Sequence, residues 1–109
     1  MLEVAAHLLE KGYHLPAAAT AGAVLEDSLR KLCVRHDVIF DGRSGISVLN
    51  TELYKTNVYS GPTHGQIEAW SRLRNDVDHY NFTNPDDIDA NDVQRMVDGL
   101  RDFIVKYLT

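Results

Sequence analysis

Apolar residues recur along this chain at helical intervals. Residues 2 to 11 place Leu2, Ala5, Leu8 and Leu9 on one helical face, and Gly12 supplies a stop signal. A second helix is expected to open at Pro16, whose missing N–H costs nothing in a first turn. It runs on through AAATAGAVLEDSLRKLCVRH with Ala18, Ala21, Leu25, Leu29 and Leu32 as its stripe. Ala21 and Gly22 are small enough to admit a neighbouring helix closely. VIFDGRSG then breaks the period with the turn signals Asp41-Gly42 and Ser44-Gly45. Val48, Leu49 and Leu53 predict a short helix over Ile46 to Lys55, and YSGP resets the chain. Thr63, with Gln66 three residues on, reads as a capping box that starts a fourth helix running to about Tyr80. Its apolar side collects Ile67, Trp70, Leu73 and Val77. In the polar connector NFTNPDDIDAN, Asn84-Pro85 forces a turn. Asp86, Asp87, Asp89 and Asp92 gather near the start of the last helix, where negative charge meets the positive end of the helix dipole. That helix has the cleanest stripe: Val93, Met96, Val97, Leu100, Phe103, Ile104, Tyr107 and Leu108.

No stretch alternates as a strand would. Short connections make successive helices antiparallel, so the pattern predicts an all-α fold, an up-and-down four-helix bundle with an additional short helix. The 109 residues read as one domain, 1–109. A first helix that begins almost at Met1 without a capping residue also fits a domain cut from a longer chain.

Composition narrows the function classes. Hydrophobic content of 44% and charged content of 25% are those of an ordinary soluble protein. No apolar run approaches the eighteen or so residues of a membrane span, and the acidic, leaderless amino terminus does not read as a signal peptide. A single cysteine, Cys33, excludes an internal disulfide and fits a reducing, cytoplasmic setting. Flanked by Leu32 and Val34, it reads as a small buried hydrophobe. The net charge of −5 argues against a broad phosphate-binding surface but leaves room for a few arginines focused at a cleft.

Most polar signals stay ordinary. None of the five histidines (His7, His14, His36, His64, His79) forms an H-x3-H pair, so neither a metal nor another cofactor is expected. The first four suit surface or capping roles, His64 facing solvent. GRSGIS lacks the ending of a phosphate loop, and Asn81-Phe82-Thr83 matches a glycosylation triplet without a secretory leader. Glu26 and Arg30, four apart, read as a surface ion pair.

The stretch RLRNDVDHYNF, residues 72 to 82, is different. Arg74 lies four residues before Asp78 and can pair with it on a continuous helix. Arg74 and His79 are five apart, roughly 140° around the axis, so they do not converge on one face of a regular helix. To act together they need a helix end near His79 or a contribution from a second copy of the chain. The residue types suit RNA cleavage. An imidazole can take a proton from a ribose 2′-hydroxyl or give one to the leaving oxygen. A guanidinium can hold two phosphate oxygens. Asn75 can orient either. Against this stands the plain reading of a solvated or locally paired helix end.

RNDVDHY resembles the signature of the HEPN superfamily, an Arg followed by a polar residue with a His four to six positions after the Arg. AAATAGAVLEDSLRKLC resembles the long early helix of its bacterial members, and IEAWSRLRNDVDHYNF with VQRMVDGLRDFIVKYL resembles their closing helix pair. The resemblance covers most of the chain, with residues 38 to 62 its least diagnostic part. It implies a homodimer whose motif helices meet at a shared cleft. It further implies a metal-independent endoribonuclease that leaves a 2′,3′-cyclic phosphate, of the kind found in toxin–antitoxin and antiviral defence systems, with an antitoxin or other protein partner. Arg74 would bind phosphate and stabilise charge, His79 would be the general acid/base, and Asn75 would support them. The acidic net charge, and Tyr80 where many relatives carry Gly, suit instead a non-catalytic HEPN-like module for dimerisation or for binding a protein or nucleotide.

Overall fold

The computed structural model describes residues 1–79 and 88–109. Its five helices are α1 (Leu2–Glu10), α2 (His14–Arg35), α3 (Ile46–Lys55), α4 (Gly61–Asp78) and α5 (Ala90–Leu108). The chain is an all-α, up-and-down four-helix bundle with a short extra helix, and among the described residues there is no strand. The turn expected at Asn84-Pro85, the triplet at Asn81, Tyr80, and Asp86 and Asp87 lie outside the described residues.

The long α2 is the spine, packing against all four other helices. Its expected stripe, Ala18, Ala21, Leu25, Leu29 and Leu32, is fully buried, as is Cys33. Burial pushes the Cys33 thiol above its ordinary range, aided by Glu52, which keeps it protonated and unreactive. From α5, Val93, Met96, Val97, Leu100 and Phe103 close the core, with Ile67 and Trp70 of α4 and Leu49 and Leu53 of α3.

Three helices stop by one device. Gly12 (φ +84), Asp37 (φ 55) and Asn57 (φ 63) take the left-handed conformation just past the ends of α1, α2 and α3. In each case the next residue reaches back along the last turn: Tyr13 N–H to the Leu8 carbonyl, Val38 to Cys33, and Val58 to Leu53. Paired with the shorter bonds from Gly12, Asp37 and Asn57 themselves, these are Schellman caps. Two of the three do without glycine because Asp and Asn tolerate this backbone better than other side chains. At the other end of α5, Asp89 accepts the Asn91 N–H at 2.8 Å, and Arg35 donates to the carbonyls of Tyr107 and Leu108 where the helix closes.

Two helix starts fall earlier than the pattern suggested. α2 opens at His14 with Pro16 at its third position, because none of the first-turn N–H groups has an intrahelical partner and proline is tolerated throughout that turn. α4 opens at Gly61 with Ser60 as N-cap and Pro62 in its first turn, and no side-chain capping bond forms there. The capping box at Thr63 and Gln66 is therefore absent. The fixed φ of Pro62 starts the helix before Thr63, which then sits inside it rather than in front of it.

Gly99 sets the spacing of α4 and α5. A Cβ built there would stand 2.5 Å from Cζ2 of the buried Trp70. Gly99→Ala is expected to lower the melting temperature. The rigid indole has to move, at a cost of about 1–3 kcal/mol, against the gain of up to about 1 kcal/mol that alanine brings to a helix. Thermal denaturation of the variant checks this, and a raised melting temperature would show that the indole yields freely.

Candidate functional site

The motif occupies the last turn of α4. The helix ends at Asp78, and His79 is its C-cap, with φ −98 and ψ 6 and its N–H on the Asn75 carbonyl at 3.0 Å. The helix end thus falls on the histidine itself. Asn75 and His79 are exposed, as are Arg72 and Asp76. Arg74 is not: it points into the seam between α2 and α4, with a quarter of its side chain accessible.

That position follows from the small residue across the seam. A Cβ on Gly22 would overlap the Arg74 Cγ, so only glycine leaves room for the arginine stem to lie on α2. The guanidinium then meets two carboxylates. Its Nε is 2.9 Å from Oδ2 of Asp78 on its own helix, and its Nη1 is 3.6 Å from Oε1 of Glu26 on α2. Glu26 also takes Arg30 Nη1 at 3.1 Å, while Arg30 Nη2 donates to the Ser44 carbonyl at 2.9 Å. Arg30, Glu26, Arg74 and Asp78 form one chain of alternating charges across the seam. The expected surface pair Glu26–Arg30 is corrected accordingly. Its groups are only a quarter to a third exposed, and Glu26 is shared with Arg74. The i,i+4 spacing within α2 announced the first contact, but nothing in the sequence announced the second, because it depends on how two helices cross.

A second polar group holds the other half of α4. Asn50, fully buried on α3, donates to the His64 carbonyl at 3.0 Å and to Glu68 Oε1 at 2.9 Å, and its Oδ1 accepts the Tyr59 hydroxyl. Burial drives the Tyr59 hydroxyl far above its ordinary pKa, with Cys33 and Glu68 adding to the effect. Glu68 also accepts from Ser47 Oγ at 3.1 Å. His64 corrects the expectation that it faces solvent. Its ring lies 4.8 Å from that of Tyr54 and its Nε2 is 4.0 Å from Glu68, so it is half-buried between α3 and α4.

Of the motif stretch, Arg72, Leu73 and Asp76 line a concavity together with Trp70, Asp92 and Arg95. A concavity lined by Leu2, Val24, Asp27, Arg35, Arg101 and Ile104, and another between α4 and α5 around Trp70 and Phe103, include none of Arg74, Asn75 and His79. Among the described residues no group of three or more His, Cys, Asp or Glu could hold a metal ion, and no helix is long and apolar enough to cross a membrane. Compared with protein-family models, with curated proteins and with solved structures, the chain finds no match.

Proposed function

We propose that this chain is a HEPN-type endoribonuclease domain that acts as a cytoplasmic homodimer in a toxin–antitoxin or antiviral defence system. One observation supports the reading above others. The end of one helix carries an exposed imidazole and amide together with an arginine whose stem lies over Gly22 and whose guanidinium is held by Glu26 and Asp78. In the proposed reaction His79 takes the proton of a ribose 2′-hydroxyl, and the 2′-oxygen forms a bond to the phosphorus. The bond to the 5′-oxygen breaks, and that oxygen leaves with the proton that the imidazolium gives back. The products are a 2′,3′-cyclic phosphate and a 5′-hydroxyl. Arg74 stabilises the charge on the non-bridging oxygens, and Asn75 orients the phosphate or the imidazole. With the Asn75 and His79 side chains exposed, a second copy would enclose the RNA and complete the cleft.

The test is to incubate the protein with structured and unstructured RNA, with and without EDTA, and to identify the 3′ ends. Cleavage that survives EDTA and leaves 2′,3′-cyclic phosphate is expected. Metal-dependent cleavage, or 3′-hydroxyl ends, would sink the mechanism. The second reading, a non-catalytic module for dimerisation or for binding a protein or nucleotide, is favoured by the two carboxylates on Arg74, which offset its charge. It predicts no cleavage of any RNA.

The glycine under the arginine gives an independent check. Gly22→Ala adds a methyl where the Arg74 stem lies, so the guanidinium has to leave the seam, while the helix gains an alanine. Cleavage is expected to fall by about ten- to a hundred-fold, as displacing a charged group by an ångström does, with the helical circular-dichroism signal retained. Unchanged cleavage would show that the seated position of Arg74 is immaterial.

A further inference from the structure

Asp78 is a residue of the motif to which the ribonuclease reading gives no task. We infer that it is a built-in competitor for RNA, a carboxylate that occupies the phosphate-binding edge of Arg74 until substrate displaces it. This inference rests on the ribonuclease reading.

A guanidinium offers phosphate two forked edges, one made by Nε with an Nη and one by the two Nη nitrogens. Among the described residues, Asp78 holds Nε at 2.9 Å and Glu26 lies 3.6 Å from Nη1, so each carboxylate takes a nitrogen that a phosphate would use. The two differ in what else they hold. Glu26 is anchored by Arg30 at 3.1 Å and is three-quarters buried, so it stays with the seam. Asp78 has Arg74 as its salt-bridge partner, is 45% exposed and lies in the last turn of α4, where a negative charge meets the negative end of the helix dipole. The Arg74 stem lies over Gly22 in the seam between α2 and α4. Phosphate therefore reaches the fork by displacing Asp78, the more weakly held of the two anions. A partly exposed i,i+4 pair is a weak barrier, one that sets a threshold of RNA affinity without closing the site.

The experiment measures binding of a labelled 2′-O-methyl oligonucleotide, which cannot be cleaved through its 2′ position, by fluorescence anisotropy at one fixed salt concentration. Asp78→Asn is expected to tighten binding about three- to five-fold. Asp76→Asn, which removes an equal charge from the same exposed turn, is expected to tighten it less than about two-fold. The gain from Asp78→Asn should vanish on an Arg74→Gln background. Arg74→Lys, which keeps the stem and the charge but loses the fork, serves in its place if the glutamine variant melts early. Equal gains from Asp76→Asn and Asp78→Asn, a gain that persists without Arg74, or binding unchanged or weakened by Asp78→Asn would overturn the competitor while leaving the ribonuclease reading standing. Failure of every variant, wild type included, to bind the oligonucleotide would overturn both.

Discussion

His79→Ala is expected to reduce RNA cleavage by about a hundred- to ten-thousand-fold, the usual contribution of a general acid/base. The side chain is exposed at the end of α4, and its removal leaves the hydrogen bond from its backbone N–H to the Asn75 carbonyl in place. Folding should therefore be unaffected, and the loss can be assigned to chemistry. Arg74→Ala should cost on the order of a hundred-fold or more through lost stabilisation of the transition state. It differs from the histidine variant in also stripping Glu26 and Asp78 of a partner and leaving a void over Gly22, so its melting temperature should drop as well. If the two-copy cleft is right, mixing His79→Ala with Arg74→Ala protein should restore part of the activity, because a mixed dimer can carry both intact groups on one side. Single-turnover cleavage of a defined RNA, alongside thermal melts, separates these outcomes. Cleavage undiminished in His79→Ala would remove the histidine from the mechanism.

The largest expected effect on stability lies at Asn50. Its three side-chain bonds, to Tyr59, His64 and Glu68, are internal, and Asn50 itself has no accessible surface. Asn50→Asp keeps the shape but loses the amide that donates to Glu68 and to the His64 carbonyl. It also puts a second carboxylate against Glu68. An unpaired buried charge costs about 3–5 kcal/mol, so at neutral pH the melting temperature should fall on the order of 10 °C or more. The sign with pH follows from burial. A carboxyl introduced here is held protonated, above the value of about 3.9 that aspartate has in an unfolded chain. Below that value the carboxyl is protonated in both states and the charge penalty is absent. It grows as pH rises through that value and is complete above the folded pKa. Melts of the variant against wild type from pH 4 to pH 8 should show the gap widening with pH. A constant gap would mean that the carboxyl reaches water.

Both results would bear on how the site is supported. Asn50 and Glu68 lock the first half of α4 to α3, while Gly22 and Arg74 lock its second half to α2. The last turn is itself held by Val77, which is buried against Ala17, Ala18, Ile88 and Val93, while Asn75 and His79 face outward. Among the described residues, α4 is thus anchored along its whole length, with the Asn75 and His79 side chains left exposed.

Much of the architecture was legible as periodicity. The stripe of α2 is buried residue for residue, that of α5 is buried from Val93 to Phe103 with Ile104, Tyr107 and Leu108 partly covered, and α3 spans Ile46–Lys55 as its few apolar positions suggested. Gly12 ended α1 as expected because only the left-handed region lets the chain turn there so tightly. The errors came where two local signals competed. At α4 the Thr63/Gln66 box lost to Pro62, and at α2 the helix began before the proline meant to open it. A capping preference is worth about 1 kcal/mol, too little to override a fixed backbone angle.

What the sequence determined by itself is the class of fold, the buried faces and the presence of the Arg74–Asn75–His79 stretch at a helix end. Those depend on spacing along one helix, which the 3.6-residue turn converts directly into direction. Only the tertiary structure decided that Glu26 reaches Arg74, that Gly22 makes the space for it, and that His64 is tucked against Tyr54. Each of these contacts crosses between helices, and the distance across a helix crossing depends on packing that no single stretch of sequence encodes.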